Sequence, residues 1–137
     1  MPITDWLLVL GSNSGGQAKL LEAVCRLEDI GKVALLGGPL ITTAEPPAGP
    51  DYVNALVMLR SSIADLEGLE ARLKQIEISL GRDCQELGKV VLDIDVLAIN
   101  TSLGWLATQR VSAKRELKKA YIEKLMMVAA VIVRESL

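Results

Sequence analysis

The sequence predicts an α+β domain built in the order β-α-β-β-α-β, with a helical segment added at its C-terminal end. Three observations lead there. Short apolar runs of strand length recur along the chain, notably Trp6 to Leu10, Tyr52 to Leu59 and Val90 to Ile99. Two segments of helical period separate them, each stopped by a glycine, Gly31 and Gly81. The 137 residues are half apolar, with net charge −2 and mean hydropathy +0.34. That is enough for one buried core spanning residues 1–137 and too apolar for a disordered chain.

Trp6 to Leu10 reads as a buried strand that enters a tight turn at Gly11-Ser12-Asn13. After Gly15-Gly16, the apolar positions Leu20, Leu21, Val24, Leu27 and Ile30 trace a helix face. Lys32 to Leu36 suits a second strand, interrupted by Gly37-Gly38-Pro39 and resumed over Leu40 to Thr43. Glu45 to Pro50 carries too much proline for a helix or a central strand and is expected as a surface loop. After the Tyr52 strand, Ser61-Ser62 offers an N-cap for a helix reaching Leu80, with Leu66, Leu69, Leu73, Ile76 and Leu80 as its core stripe. Arg82 to Lys89 is a polar loop leading to the last strand. This order is the ferredoxin-like unit. Ser112 to Glu135 is helical by propensity, with Leu117, Tyr121, Leu125, Val128 and Ile132 as its buried stripe, although Val128 to Val133 suits a strand equally well.

Composition narrows the function. A net charge of −2 gives no electrostatic footprint for nucleic acid. The chain has no histidine, which excludes imidazole acid–base chemistry and histidine metal ligation. Cys25 and Cys84 lie far apart without metal-site spacing and no signal-peptide pattern is present, so a reducing cytoplasm is expected. The apolar run Leu125 to Val133 is shorter than the ~20 residues a membrane-spanning helix needs, so no membrane partner is expected. Oligomeric state is not legible.

The most informative segment is Leu92-Asp93-Ile94-Asp95-Val96. On a strand, side chains alternate between faces, so Leu92, Ile94, Val96 and Ala98 are expected on one face and Asp93 and Asp95 on the other. Two carboxylates roughly 6–7 Å apart along a strand repel one another. Either they stand in water at a sheet edge, or a divalent cation compensates them; Mg²⁺ favours one or two carboxylates together with substrate phosphates. Gly11 to Gly16 lies between a strand and a helix but lacks the Gly-Lys-Ser/Thr ending of a Walker loop. Tyr52 and Asn54 fall on one side of their strand, an aromatic face beside an amide that suits a flat heterocycle, or equally a half-buried tyrosine and a backbone-bonded amide. Glu77 and Arg82 flank the end of the second helix, and Lys89 stands four residues before Asp93.

Taken in order, Leu10-Gly11-Ser12-Asn13, Thr43 with its proline-rich loop, Pro50-Asp51-Tyr52-Val53-Asn54-Ala55, Ile76-Glu77 with Leu80-Gly81-Arg82, and Leu92-Asp93-Ile94-Asp95 resemble the 6-hydroxymethyl-7,8-dihydropterin pyrophosphokinase family, over roughly residues 5 to 100. The resemblance implies a ferredoxin-like fold. It also implies transfer of pyrophosphate from ATP to the pterin hydroxymethyl group, with release of AMP, in folate biosynthesis. It implies that Asp93 and Asp95 hold two Mg²⁺ ions with the ATP phosphates, and that Asp95 helps activate the attacking hydroxyl. Tyr52 would stack on the pterin, Asn54 would bond its edge, and Thr43 would lie near the same pocket. Glu77 would lie on the nucleotide side and Arg82 would contact phosphate.

The chain departs from the family pattern in three places. Leu87-Gly88-Lys89-Val90-Val91 stands where the family has Trp-Gly-Pro-Arg-Thr, so Val90 holds the arginine position and Lys89 is the cation available in its place, a point charge and not a bidentate fork. The family's Pro-His segment has no counterpart, because the chain lacks histidine. It also lacks phenylalanine, so Tyr121 or Trp105 would have to supply the second aromatic wall. These departures open an alternative expectation, a catalytically degenerate relative that binds nucleotide, pterin or a protein partner without turnover.

Overall fold

The computed structural model describes residues 2–13, 16–42, 52–81 and 92–135. The elements run β1 (Thr4–Ser12), α1 (Gly16–Leu27), β2 (Lys32–Thr42), β3 (Tyr52–Ser61), α2 (Leu66–Ser79), β4 (Asp93–Thr101), β5 (Gly104–Ala107), α3 (Val111–Leu117), α4 (Ala120–Ala129) and β6 (Val133–Arg134). The strands form one mixed sheet in the order β2-β3-β1-β4-β5-β6, and only the β5–β6 pair is parallel. The order β2-β3-β1-β4 is that of the ferredoxin-like unit, as the sequence predicted; β5 and β6 extend its β4 side.

Side-chain alternation divides the core in two. Trp6, Leu8 and Leu10 of β1, Val53 to Leu59 at odd positions of β3, and Ile94 and Val96 of β4 pack against Leu20, Ala23 and Leu27 of α1 and Leu69, Leu73 and Ile76 of α2. Leu7, Val9 and Leu56 face the other way and meet Ile122 and Leu125 of α4. The sheet is therefore buried on both faces, which is why β1 reads as a continuous apolar run with no polar alternation.

Four local expectations change. Ala98 joins Leu97 on the α4 side of the sheet, because Leu7 pairs with Ala98 while Leu8 pairs with Val96, leaving Leu97 as an extra residue in a bulge. The α2 N-cap is Asp65, whose carboxylate accepts the Gly68 N–H at 2.8 Å. Ser61 instead ends β3 and donates its hydroxyl to the Ile30 carbonyl at 2.6 Å. β2 runs unbroken from Lys32 to Thr42, absorbing Gly37-Gly38-Pro39 as register shifts against β3.

The C-terminal segment is not one helix. Lys119 takes extended backbone angles and separates α3 from α4, and Val133–Arg134 forms the short strand β6. Ile122 and Leu125 are the buried residues of α4, whereas Val128 is 77% and Ile132 81% exposed. α4 ends on Ala130 in left-handed conformation, φ 56°, with Val131 N–H bonding the Met126 carbonyl at 2.9 Å. A side chain there meets steric resistance that glycine avoids. Ala130→Gly is expected to raise unfolding free energy by about 0.5–1 kcal/mol, read as a higher urea midpoint at unchanged slope.

Candidate functional site

The strand register brings two of the sequence-predicted pairs onto one face. Gly11 of β1 pairs with Asn54 on one side and Asp93 on the other. Val9, two residues earlier, pairs with Leu56 and Asp95. Directly paired residues share a face, so Asn54, Asp93 and Asp95 stand on the side of the sheet that α4 covers. Tyr52, two residues before Asn54, stands there too. Glycine at position 11 keeps this row open: a Cβ built on Gly11 would stand 2.9 Å from Asn54 Oδ1. The Asn54 side chain therefore lies across Gly11, and Asn54 and Asp93 are separated by two strand spacings, roughly 10 Å. Asn54 is buried and Tyr52 half-buried.

Asp93 and Asp95 are both half-buried. The Asp95 carboxyl is pushed up to about 8, first by burial, then by the charge and hydrogen bond of Asp93, and further by the charges of Glu116 and Glu77. An acid held protonated by its neighbours is a place where positive charge binds favourably. Among the described residues no group of three or more side chains forms a metal cluster. A cation here would take two carboxylates from the protein and complete its shell from phosphate and water, which fits Mg²⁺.

Among the described residues β5 pairs with β4 from Ala98 onward. Side chains bond the β4 backbone before that point. Ile94 N–H donates to Glu77 Oε2 at 2.9 Å, and the Thr108 hydroxyl donates to the Val96 carbonyl at 3.0 Å. Glu77 is only 6% exposed, so its carboxylate anchors α2 to the aspartate strand. Beside it opens a cleft of about 210 Å³ between Leu73, Lys74 and Glu77 of α2, Asp93 to Val96 of β4, and Ser112 of α3. Glu77→Leu is expected to lower stability by about 1–3 kcal/mol by leaving a buried N–H unpaired. Glu77→Gln, which retains an acceptor, is expected to lose less than half as much in the same urea titration.

A cluster of which the sequence singled out only Tyr121 closes the aspartate face. Glu116 of α3 is 6% exposed. It accepts the Tyr121 hydroxyl and the Lys119 ammonium, each at 2.6 Å. Burial, then the hydrogen bond to and charge of Glu116, and then Asp95 and Asp93, push the Tyr121 phenol far above its usual range. Tyr121 thus stands near the aspartates, while Trp105 pairs with Asn100 at the far end of β4. Nothing in the Lys-Arg-Glu-Leu-Lys-Lys pattern marks Glu116 as buried; only the packing of α3 against β4 does.

Thr43, Arg82 and Lys89 lie outside the described residues, as do Val90, Cys84 and residues 45–50 and 82–89, which the sequence reads as loops. The grouping above therefore concerns Tyr52, Asn54, Glu77, Asp93 and Asp95. No described helix is long and apolar enough to cross a membrane.

No curated protein matches the chain. The family model described as 7,8-dihydro-6-hydroxymethylpterin-pyrophosphokinase (HPPK) matches residues 7–130.

Proposed function

The chain belongs to the 7,8-dihydro-6-hydroxymethylpterin-pyrophosphokinase family, and from that premise we propose that it transfers pyrophosphate from ATP to 6-hydroxymethyl-7,8-dihydropterin and releases AMP. The observation that carries this reading is the common face of Tyr52, Asn54, Asp93 and Asp95, joined through the Asn54–Gly11–Asp93 row. A flat heterocycle and a metal-bound triphosphate need such adjacency, because the reaction depends on positioning and charge neutralisation more than on covalent help from the protein.

In the proposed reaction the pterin hydroxyl oxygen attacks the β-phosphorus of ATP. The bond from that phosphorus to the α-phosphate's bridging oxygen breaks, and AMP leaves with the bond's electrons. Asp93 and Asp95 would hold Mg²⁺, two ions with ATP, whose charge offsets that of the phosphates. Tyr52 offers its ring to the pterin and Asn54 its amide, with Tyr121 as a second aromatic surface and Thr43 near the same pocket. Asp95, whose basicity burial raises, suits the proton that the attacking hydroxyl loses. Glu77 holds the aspartate strand beside the cleft assigned to the nucleotide. Arg82 and Lys89 are assigned to phosphate from their sequence positions. The proposed substrates are small molecules and the proposed location is the cytoplasm.

One sequence observation favours a second reading. Val90 at the family's arginine position removes a phosphate cation, and loss of one such group lowers rates by orders of magnitude. On that reading the protein binds its ligands without turnover. Incubation with ATP, Mg²⁺ and hydroxymethyl-dihydropterin separates the two. AMP that requires the pterin supports transfer; Mg²⁺-dependent binding of a non-hydrolysable ATP analogue without AMP supports the second reading. Absence of both binding and AMP contradicts the assignment.

A further inference from the structure

Glu116 is a buried carboxylate on the aspartate face of a sheet that already carries two others, and it belongs to neither the predicted metal pair nor the nucleotide cleft. Both of its oxygens are engaged. Oε2 accepts the Tyr121 hydroxyl and Oε1 accepts the Lys119 ammonium, each at 2.6 Å, the short range of charge-assisted bonds. Lys119 is the residue that leaves the helical path between α3 and α4, and Tyr121 stands in the first turn of α4. Lys119 Nζ also stands 5.7 Å from the centre of the Tyr121 ring, within reach of a cation–π contact.

A surface lysine–glutamate pair three residues apart contributes little, but this one has a buried acid and a phenol as its third member. Together they fix the plane of the Tyr121 ring. Tyr121 packs against the α4-side core with Leu36 and Leu40, and Leu40 is the strand neighbour of Asn54. The charges of Asp95 and Asp93 act on its phenol, so the ring stands on the face of the sheet that carries Asn54 and both aspartates.

We propose that Glu116 is a positioning residue for the flat substrate: it locks Tyr121, through its hydroxyl and the Lys119 ammonium, in the orientation that forms an aromatic wall of the pterin pocket. This rests on the proposed pterin site. Removing Glu116 would free the ring while also removing a negative charge from the vicinity of Asp95. The two ligands are therefore expected to respond differently, which general loosening of the fold would not produce.

The test is fluorescence titration with 6-hydroxymethylpterin in the presence of Mg²⁺ and a non-hydrolysable ATP analogue, with the analogue's own affinity measured separately. Glu116→Ala is expected to weaken pterin binding roughly tenfold, the scale of a lost charge-assisted hydrogen bond, and to leave analogue binding undiminished. Tyr121→Phe, which keeps the ring and drops the hydroxyl, is expected to weaken the pterin roughly threefold. The double variant should match Glu116→Ala within about twofold, since both changes break one interaction. Glu116→Gln keeps one acceptor oxygen and turns the other position into a donor, so it should recover part of the affinity, and with Tyr121→Phe it carries the test if Glu116→Ala does not fold. Unchanged pterin affinity in these variants, or parallel loss of both ligands, overturns the proposal and leaves the pterin site standing. A wild-type protein that binds no pterin overturns the site reading, and the role of Glu116 with it.

Discussion

Asp95→Asn is expected to lower pterin-dependent AMP release by at least about 10³-fold while changing pterin affinity less than about threefold. The substitution is nearly isosteric and sits on β4, a strand held on one edge by β1 and on the other by Glu77 and Thr108. The fold should therefore survive. On the proposed reading, what disappears is half of the anionic charge that the pair would offer to Mg²⁺, together with the carboxylate assigned to the hydroxyl proton. Tyr52 and Asn54 lie on a different strand and retain their contacts, so the loss belongs in turnover. Steady-state AMP measurements paired with pterin fluorescence titration read the two quantities separately. Comparable loss of both would mean that Asp95 supports the pocket's shape and not the chemistry.

The second large effect is a pH dependence that Mg²⁺ reverses. Asp95 rises from an ordinary 3.8 to about 8 in the folded, metal-free protein. Between about pH 4 and 8 the folded state then holds a proton that the unfolded chain has released, so stability falls as pH rises through this window, and the full penalty is present above about 8. Partial exposure of the group and screening by water limit the penalty to on the order of 2–3 kcal/mol. Urea titrations at pH 4 and pH 9 are expected to show that decline, and Asp95→Asn should remove most of it. A cation competes with the proton, so Mg²⁺ with an ATP analogue should stabilise the protein more at pH 9 than at pH 6, and EDTA should restore the metal-free behaviour. A decline of equal size in wild type and Asp95→Asn would assign the effect to another group.

Much of the scaffold was legible because its periods are clean. The alternation at Asp93 and Asp95 placed both carboxylates on one face, and the Leu69–Leu73–Ile76 stripe marked the buried side of α2. The failures have local causes. Ser61, Ser62 and Asp65 are all residues that cap helices; the tertiary bond from Ser61 to Ile30 removes the first, and the bond from the Gly68 N–H to Asp65 makes the last the cap. Leu97 and Ala98 carry no sign of a bulge, since both are apolar whichever face they take. Between Ser112 and Ala129 no glycine or proline marks the break at Lys119; it arises where Glu116 draws Lys119 and Tyr121 together. The candidate site followed the same pattern. Residues at strand period were found, whereas Glu116 resembled an ordinary surface charge in a basic helix until packing buried it.

The claim on which everything else rests is that the Tyr52–Asn54 and Asp93–Asp95 pairs serve one site. With Mn²⁺ in place of Mg²⁺ and a non-hydrolysable ATP analogue bound, paramagnetic relaxation of the pterin protons measures their distance from the metal directly. On the proposed assignment, two strand spacings would put the metal and the pterin within roughly 10 Å, so strong broadening of the pterin hydroxymethyl signal is expected, and Asp93→Asn with Asp95→Asn should abolish it. A pterin that binds with Mn²⁺ and analogue present yet shows no broadening would contradict the shared site.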